Sequence, residues 1–102
     1  MDSIALTEAV YYILLSLHTP MHGYGIMQKV ESMSGGRVRL AAGTLYGALG
    51  SMVEKGWITA VSGETISRKK EYVITDAGKT IVKKEYLRLK ELVANGENIM
   101  GG

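Results

Sequence analysis

Apolar residues recurring at helical spacing in the first half of the chain, and two short β-prone runs around a polar loop, predict a mainly α protein with one small antiparallel β-hairpin. A further amphipathic stretch closes the sequence. The 102 residues are the length of one domain and leave no room for a second core. So short a chain keeps much of its surface exposed, which makes self-association a natural route to more burial.

The first helix is expected from about Ile4 to Leu17. Ile4, Leu6, Ala9, Val10, Ile13, Leu14 and Leu17 follow its repeat, and Tyr11, Tyr12 and Leu15 cover much of the remaining circumference. A helix apolar nearly all round must be buried on more than one side, and in so small a domain the second side points to another subunit. Pro20 ends it. A second helix follows from Gly23 to Met33, with Tyr24, Ile26, Met27, Val30 and Met33 as its apolar stripe, and Ser34-Gly35-Gly36 stops it.

The third helix should begin near Ala42 and end before Gly56. Leu45, Ala48, Leu49, Met52 and Val53 form one face, and Gly43, Gly47, Gly50 and Glu54 the opposite one, with Thr44 and Ser51 beside it. Glycine inside a helix costs about 1 kcal/mol relative to alanine, so Gly47 and Gly50 together cost roughly 2 kcal/mol. Some other demand must hold this helix and keep that face bare.

Trp57 to Val61 reads as a strand, Ser62 to Ser67 as a polar loop, and Lys69 to Ile74 as the returning strand. Thr75 or Asp76 is placed to cap a last helix running to about Ala94, where Asn95-Gly96 is a stop signal. Val82, Tyr86, Leu89 and Val93 line one side of it, with Leu92 beside them.

Composition narrows the chemistry. With no cysteine the chain has no disulfide, no thiolate nucleophile and no Cys-based zinc site, which suits a reducing cytoplasm. The apolar stretch from Val10 to Leu17 is too short to span a bilayer and follows Asp2 and Glu8, where a signal peptide would carry positive charge. A net charge of +2 is modest, but its distribution is uneven. Residues 37–75 hold Arg37, Arg39, Lys55, Arg68, Lys69 and Lys70 against Glu54, Glu64 and Glu71, a basic middle of the kind that meets phosphates.

Helix, helix, helix, hairpin, helix is the layout of a winged helix-turn-helix with an added C-terminal helix. In such a module the third helix enters the major groove and the hairpin lies against the backbone. The residues then become specific. His22-Gly23-Tyr24-Gly25-Ile26, Gly43-Thr44-Leu45-Tyr46, Leu49, Glu54-Lys55-Gly56-Trp57-Ile58, Arg68-Lys69-Lys70-Glu71-Tyr72 and Thr75-Asp76-Ala77-Gly78 resemble the PadR family signature, in order and over nearly the whole chain. The resemblance implies a transcriptional regulator, usually a repressor. It also implies a homodimer formed by the C-terminal helix packed with the first, and in many members a small-molecule effector. The single, short C-terminal helix resembles the compact subgroup. Gly47 stands where many members carry proline or a charge. Trp57, the one tryptophan, begins the wing, so the mode in which some compact members hold flat aromatic drugs between central tryptophans does not carry over.

On this reading residues 1–75 form the DNA-binding domain and residues 76–102 a dimerisation helix with a frayed tail. Thr44 and Tyr46 reach phosphates or base edges, Gly43 and Gly47 admit the DNA backbone, and Arg68, Lys69 and Lys70 flank the wing. Lys29 and Arg39 add phosphate contacts. Leu6, Val10, Ile13 and Leu14 are expected to meet Val82, Tyr86, Leu89 and Val93 across the dimer axis, and Tyr11, Tyr12, Tyr86 and Leu89 to frame an effector pocket for a small hydrophobic or aromatic molecule. The competing assignments are solvated basic flanks, packing of the glycine face on another helix, and an ordinary packed interface in place of the pocket. Two other functions fit the same layout: a winged helix used for protein contact, and a small-molecule binder without a direct DNA role.

No cofactor or metal is expected. His18 and His22 have helical metal-pair spacing, but Pro20 between them breaks the helix. Gly23-Tyr24-Gly25 follows a helix and meets Gln28 where a dinucleotide loop needs its third glycine. No Ser/His/Asp set or paired carboxylate supports catalysis, so the chain is not read as an enzyme.

Overall fold

The computed structural model describes residues 5–61 and 70–101. In chain order it contains α1 (Glu8–Ser16), β1 (Met21–His22), α2 (Gly23–Met33), α3 (Ala42–Glu54), β2 (Ile58–Val61), β3 (Glu71–Ile74) and α4 (Asp76–Met100). The fold is mainly α with a small antiparallel sheet, a winged helix-turn-helix carrying a C-terminal helix.

The core gathers one face from every helix. Ile13, Leu14 and Leu17 from the first helical segment meet Ile26 and Val30 of α2, Leu45, Leu49 and Met52 of α3, Ile58 and Ile74 of the hairpin, and Val82 of α4. Each fully buried aliphatic side chain contributes roughly 1.5–3 kcal/mol, so this cluster outweighs the helix cost of the α3 glycines.

Boundaries follow the caps. Thr7 accepts the Val10 N–H at 3.1 Å, so α1 starts at Glu8 rather than at Ile4. Its last turn stops at Ser16, whose Oγ donates back to the Tyr12 carbonyl at 2.8 Å. In α2 the buried residues are Gly23, Ile26 and Val30; Tyr24, expected on the apolar stripe, is 63% exposed.

Two features depart from expectation. The sheet has three strands, in the order β1-β3-β2, all antiparallel, with Met21 opposite Tyr72 and Ile58 opposite Ile74. Met21–His22 is too short for alternation to mark it as a strand. The second departure is α4, which runs through Asn95-Gly96 to Met100. An Asn-Gly pair stops a helix where the chain turns left-handed; here that turn falls at Gly101, with φ of 82°. The second half of α4 therefore extends beyond the core. A radius of gyration of 15.2 Å reflects this, against about 13 Å for a compact chain of this size.

Candidate nucleic-acid interface

α3 is amphipathic in an unusual way. Leu45, Leu49 and Met52 are buried, while Gly43, Thr44, Tyr46, Gly47, Gly50 and Ser51 are exposed. Among the described residues, a Cβ added at Gly43, Gly47 or Gly50 would meet no atom within 4 Å. The glycine face is thus open and does not pack on another helix of this chain. The N-cap of α3 is Ala41, which offers no side-chain acceptor, whereas Thr7, His22 and Thr75 cap the other three helices. Among the described residues no side chain caps the first N–H groups of α3, an arrangement that suits solvent or an anion.

Tyr46 does two things. It is 52% exposed, and its ring leans over the start of α2, where a Cβ on Gly23 would overlap the phenol oxygen. A side chain at Gly23 would push that ring aside, and the contact ties α3 to α2. Tyr24 stands nearby in sequence at the first turn of α2, receiving a long hydrogen bond from Gln28 Nε2 at 3.4 Å. Period alone puts Tyr24 on the apolar stripe, because it cannot tell a buried ring from one at the stripe's edge.

The cations divide. Lys29 and Lys70 are exposed. Arg39 is held loosely by Glu31 at 3.5 Å, with both side chains largely in water. Arg37 makes a two-pronged pair with Glu8, Nη1 to Oε1 at 2.9 Å and Nη2 to Oε2 at 2.5 Å, joining the α2–α3 turn to α1. The Arg37 guanidinium holds the Glu8 carboxyl below its usual range. Arg68 and Lys69 lie outside the described residues.

The histidines serve the backbone. His22 Nδ1 accepts the Gly25 N–H at 3.3 Å and caps α2. His18 Nδ1 lies 3.1 Å from the carbonyl oxygens of Leu14 and Leu15, which it can serve only as a donor.

The expected dimer residues also divide. Ile13 and Leu14 are fully buried in this chain's own core and have no surface to give a partner, and Val82 is nearly so. That is a correction: a helix apolar all round does not say which side faces the core. Leu6, Val10 and Leu89 are half-buried, and Tyr86 and Val93 are exposed. Leu92, Ile99 and Met100 extend the free apolar surface of α4, the last two at 85% and 81% exposure. Ending the helix at Ala94 hid those two.

The expected effector pocket does not assemble as a set. Tyr11 and Tyr86 share a cleft of about 560 Å³ between α1 and α4, with Leu15, His18, Val82, Lys79 and Lys83 on its walls. Tyr12 and Leu89 are not on its walls: Tyr12 lies by the Arg37 guanidinium, and Leu89 lines a separate hollow with Tyr86 and Val93 farther along α4. Glu85, next to Tyr86 on α4, is 5% exposed and receives Arg88 Nε at 2.8 Å and Nη2 at 2.6 Å. Those bonds, and one from the Leu6 backbone, hold its carboxyl below the usual range against the opposing effect of burial. Burial first, and Glu85 second, push the Tyr11 hydroxyl upward.

Residues 12–84 match the family model described as the transcriptional regulator PadR-like family. Among solved structures, a PadR-like transcription factor from Bacteroides fragilis is 26% identical, with a TM-score of 0.74 over 88% of this chain and 87% of that one. A PadR family transcription regulator from Clostridium difficile has the same fold, with a TM-score of 0.74 and 22% identity over 94% of this chain and all of that one. A curated relative, an uncharacterised 37.1 kDa protein in a transposon of Streptomyces fradiae, is 35% identical over 66 residues, and the chain spans 18% of its length.

Proposed function

The chain belongs to the PadR-like family of transcriptional regulators, and on that footing we propose that it is a homodimeric repressor that reads a pseudo-palindromic operator with α3. As a member of this family it is a regulator and not an enzyme. The observation that carries the reading is the open glycine face of α3, flanked by exposed Thr44 and Tyr46 and led by an uncapped N-terminus. A bare helical face lets its backbone approach a duplex closely, and free N–H groups there suit phosphate.

In this reading Gly43 and Gly47 set the depth of approach and Thr44 contacts base edges. Tyr46 contributes its free edge, while Lys29, Arg39 and Lys70 meet the backbone. Arg68 and Lys69 join them on the strength of the sequence. Residues 1–75 bind DNA and residues 76–102 join the protomers, through Leu6, Val10, Tyr86, Leu89 and Val93. Half-sites then lie one helical turn, or a multiple, apart. The α1–α4 cleft takes a small effector between Tyr11 and Tyr86, and its occupant releases the operator. Among the described residues no helix is long and apolar enough to cross a membrane, and we place the protein in the cytoplasm with its DNA.

The test is a titration of the purified protein against its own upstream DNA and a scrambled duplex at two salt concentrations. Tight, salt-sensitive binding that prefers the upstream DNA is expected. Equal, weak binding to both would reduce the surface to a generic basic patch.

A further inference from the structure

Thr75 closes two helices at once. α3 ends in a Schellman turn: Gly56, at φ of 78°, donates to the Val53 carbonyl at 3.0 Å, and the Trp57 N–H donates to the Met52 carbonyl at 3.0 Å. The carbonyls of those same two residues then accept from Thr75. Its hydroxyl donates to the Gly56 oxygen at 2.5 Å, and its N–H to the Trp57 oxygen at 2.9 Å. The same hydroxyl oxygen accepts the Gly78 N–H at 3.1 Å and so begins α4. Gly78 completes the joint, because a Cβ there would overlap the Trp57 carbonyl.

The C-terminal end of the helix proposed to read DNA is therefore bonded to the N-terminal end of the helix proposed to dimerise, through the hydroxyl and the N–H of one residue. We infer that Thr75 is a positioning residue that sets the half-site spacing this protein accepts, an inference that rests on the operator-binding reading above. Leu45, Leu49 and Met52 hold α3 in the winged body, and Gly78, Val82 and Glu85 bury the first turns of α4 against it, so what the Thr75 bonds add is the angle between the two helices at their joint. From this joint the 13 residues of α3 place its far end about 20 Å away at 1.5 Å per residue. Slack of about 10° would move that end roughly 3.5 Å, which is one base-pair rise. A dimer whose joint slackens by that much no longer distinguishes neighbouring spacings.

The discriminating variant is Thr75→Asp. Aspartate caps a helix as well as threonine, so α4 still begins. At neutral pH its carboxylate has no proton for the Gly56 carbonyl and repels it, so the side-chain half of the clamp opens while the backbone bond to Trp57 remains. Thr75→Ser keeps both bonds. The operator is first selected by the wild-type protein from a random duplex pool, and its spacer is then lengthened and shortened by single base pairs. Wild type and Thr75→Ser are expected to prefer one spacer by about tenfold or more, and Thr75→Asp to bind all within about threefold.

A purely structural role would lower affinity and melting temperature while keeping the ratio between spacers, and that result overturns the inference. A second readout needs no DNA. The native chain has no cysteine, so a spin label at Ser51→Cys reports the distance between the two α3 helices of the dimer. A narrow distribution is expected in wild type and Thr75→Ser, and a broad one in Thr75→Asp; an equally narrow one there overturns the inference. Failure of the wild-type selection to yield any operator would instead bring down the DNA-binding reading itself.

Discussion

At Gly47 a methyl group would meet nothing within 4 Å among the described residues, while at Gly78 it would run into the Trp57 carbonyl. The same substitution should therefore have opposite signs. Gly47→Ala is expected to stabilise the fold by about 1 kcal/mol through helix propensity, raising the melting temperature by roughly 4–8 °C for a domain this small. It should also weaken operator binding, because the methyl stands on the face proposed to meet DNA; an unchanged or higher affinity would move DNA away from that face. Gly78→Ala should destabilise by about 1–3 kcal/mol, the usual range for overpacking. Glu85 supplies a pH prediction. Its carboxyl is lowered from the usual 4.5 chiefly by the Arg88 hydrogen bonds. A depressed folded value means the contribution is complete above the unfolded value and is lost as pH falls through the folded one. Melting temperature should thus decline below about pH 4.5, and Glu85→Gln should melt lower at neutral pH with a flatter acid arm. The slope left in that variant belongs to other carboxylates, Glu8 among them. An acid arm as steep as wild type's would show that the Glu85–Arg88 pair carries none of it.

Among the elements, α4 has the least settled surroundings. Gly78, Val82 and Glu85 are buried against the body, whereas Leu92, Val93, Ile99 and Met100 continue past it uncovered. Val93→Glu should therefore spare the protomer's fold and split the dimer. Sedimentation at micromolar protein would show a monomer with unchanged far-ultraviolet circular dichroism, and a persisting dimer would place the interface elsewhere. What could be read from sequence follows the same division. The four helices and the hairpin were legible because each carries enough residues for its period to show, and the glycines of α3 marked its bare face directly. The two-residue β1 has no period. The extent of α4 was hidden because Asn95-Gly96 stops a helix only if the backbone turns there, and it turns at Gly101. Around α1, period could say that more than one side is buried but not by what. Ile13 and Leu14 therefore passed for interface until the position of α2 made them core. Tyr46 over Gly23 is a contact between elements, which no local pattern encodes.

As a whole the molecule measures 56 × 31 × 20 Å, a winged body with a helix projecting from it, and carries a net charge of only +2. So small a total cannot by itself produce strong, salt-sensitive DNA binding; the dependence must come from cations placed locally against phosphates. Each phosphate contact steepens the fall of log affinity with log salt by about 0.9. In a symmetric dimer both protomers bring the same set, so a full operator draws twice the contacts of a single half-site. The slope on a duplex carrying one half-site should therefore be about half the slope on the full operator, measured by fluorescence anisotropy across a salt series. Lys70→Ala should reduce the full-operator slope by about twice its effect on the half-site, since it removes one contact from each protomer that is bound. Equal slopes on the two duplexes would mean that the second winged body never touches DNA, and the projecting helix would then have to join protomers for some other purpose.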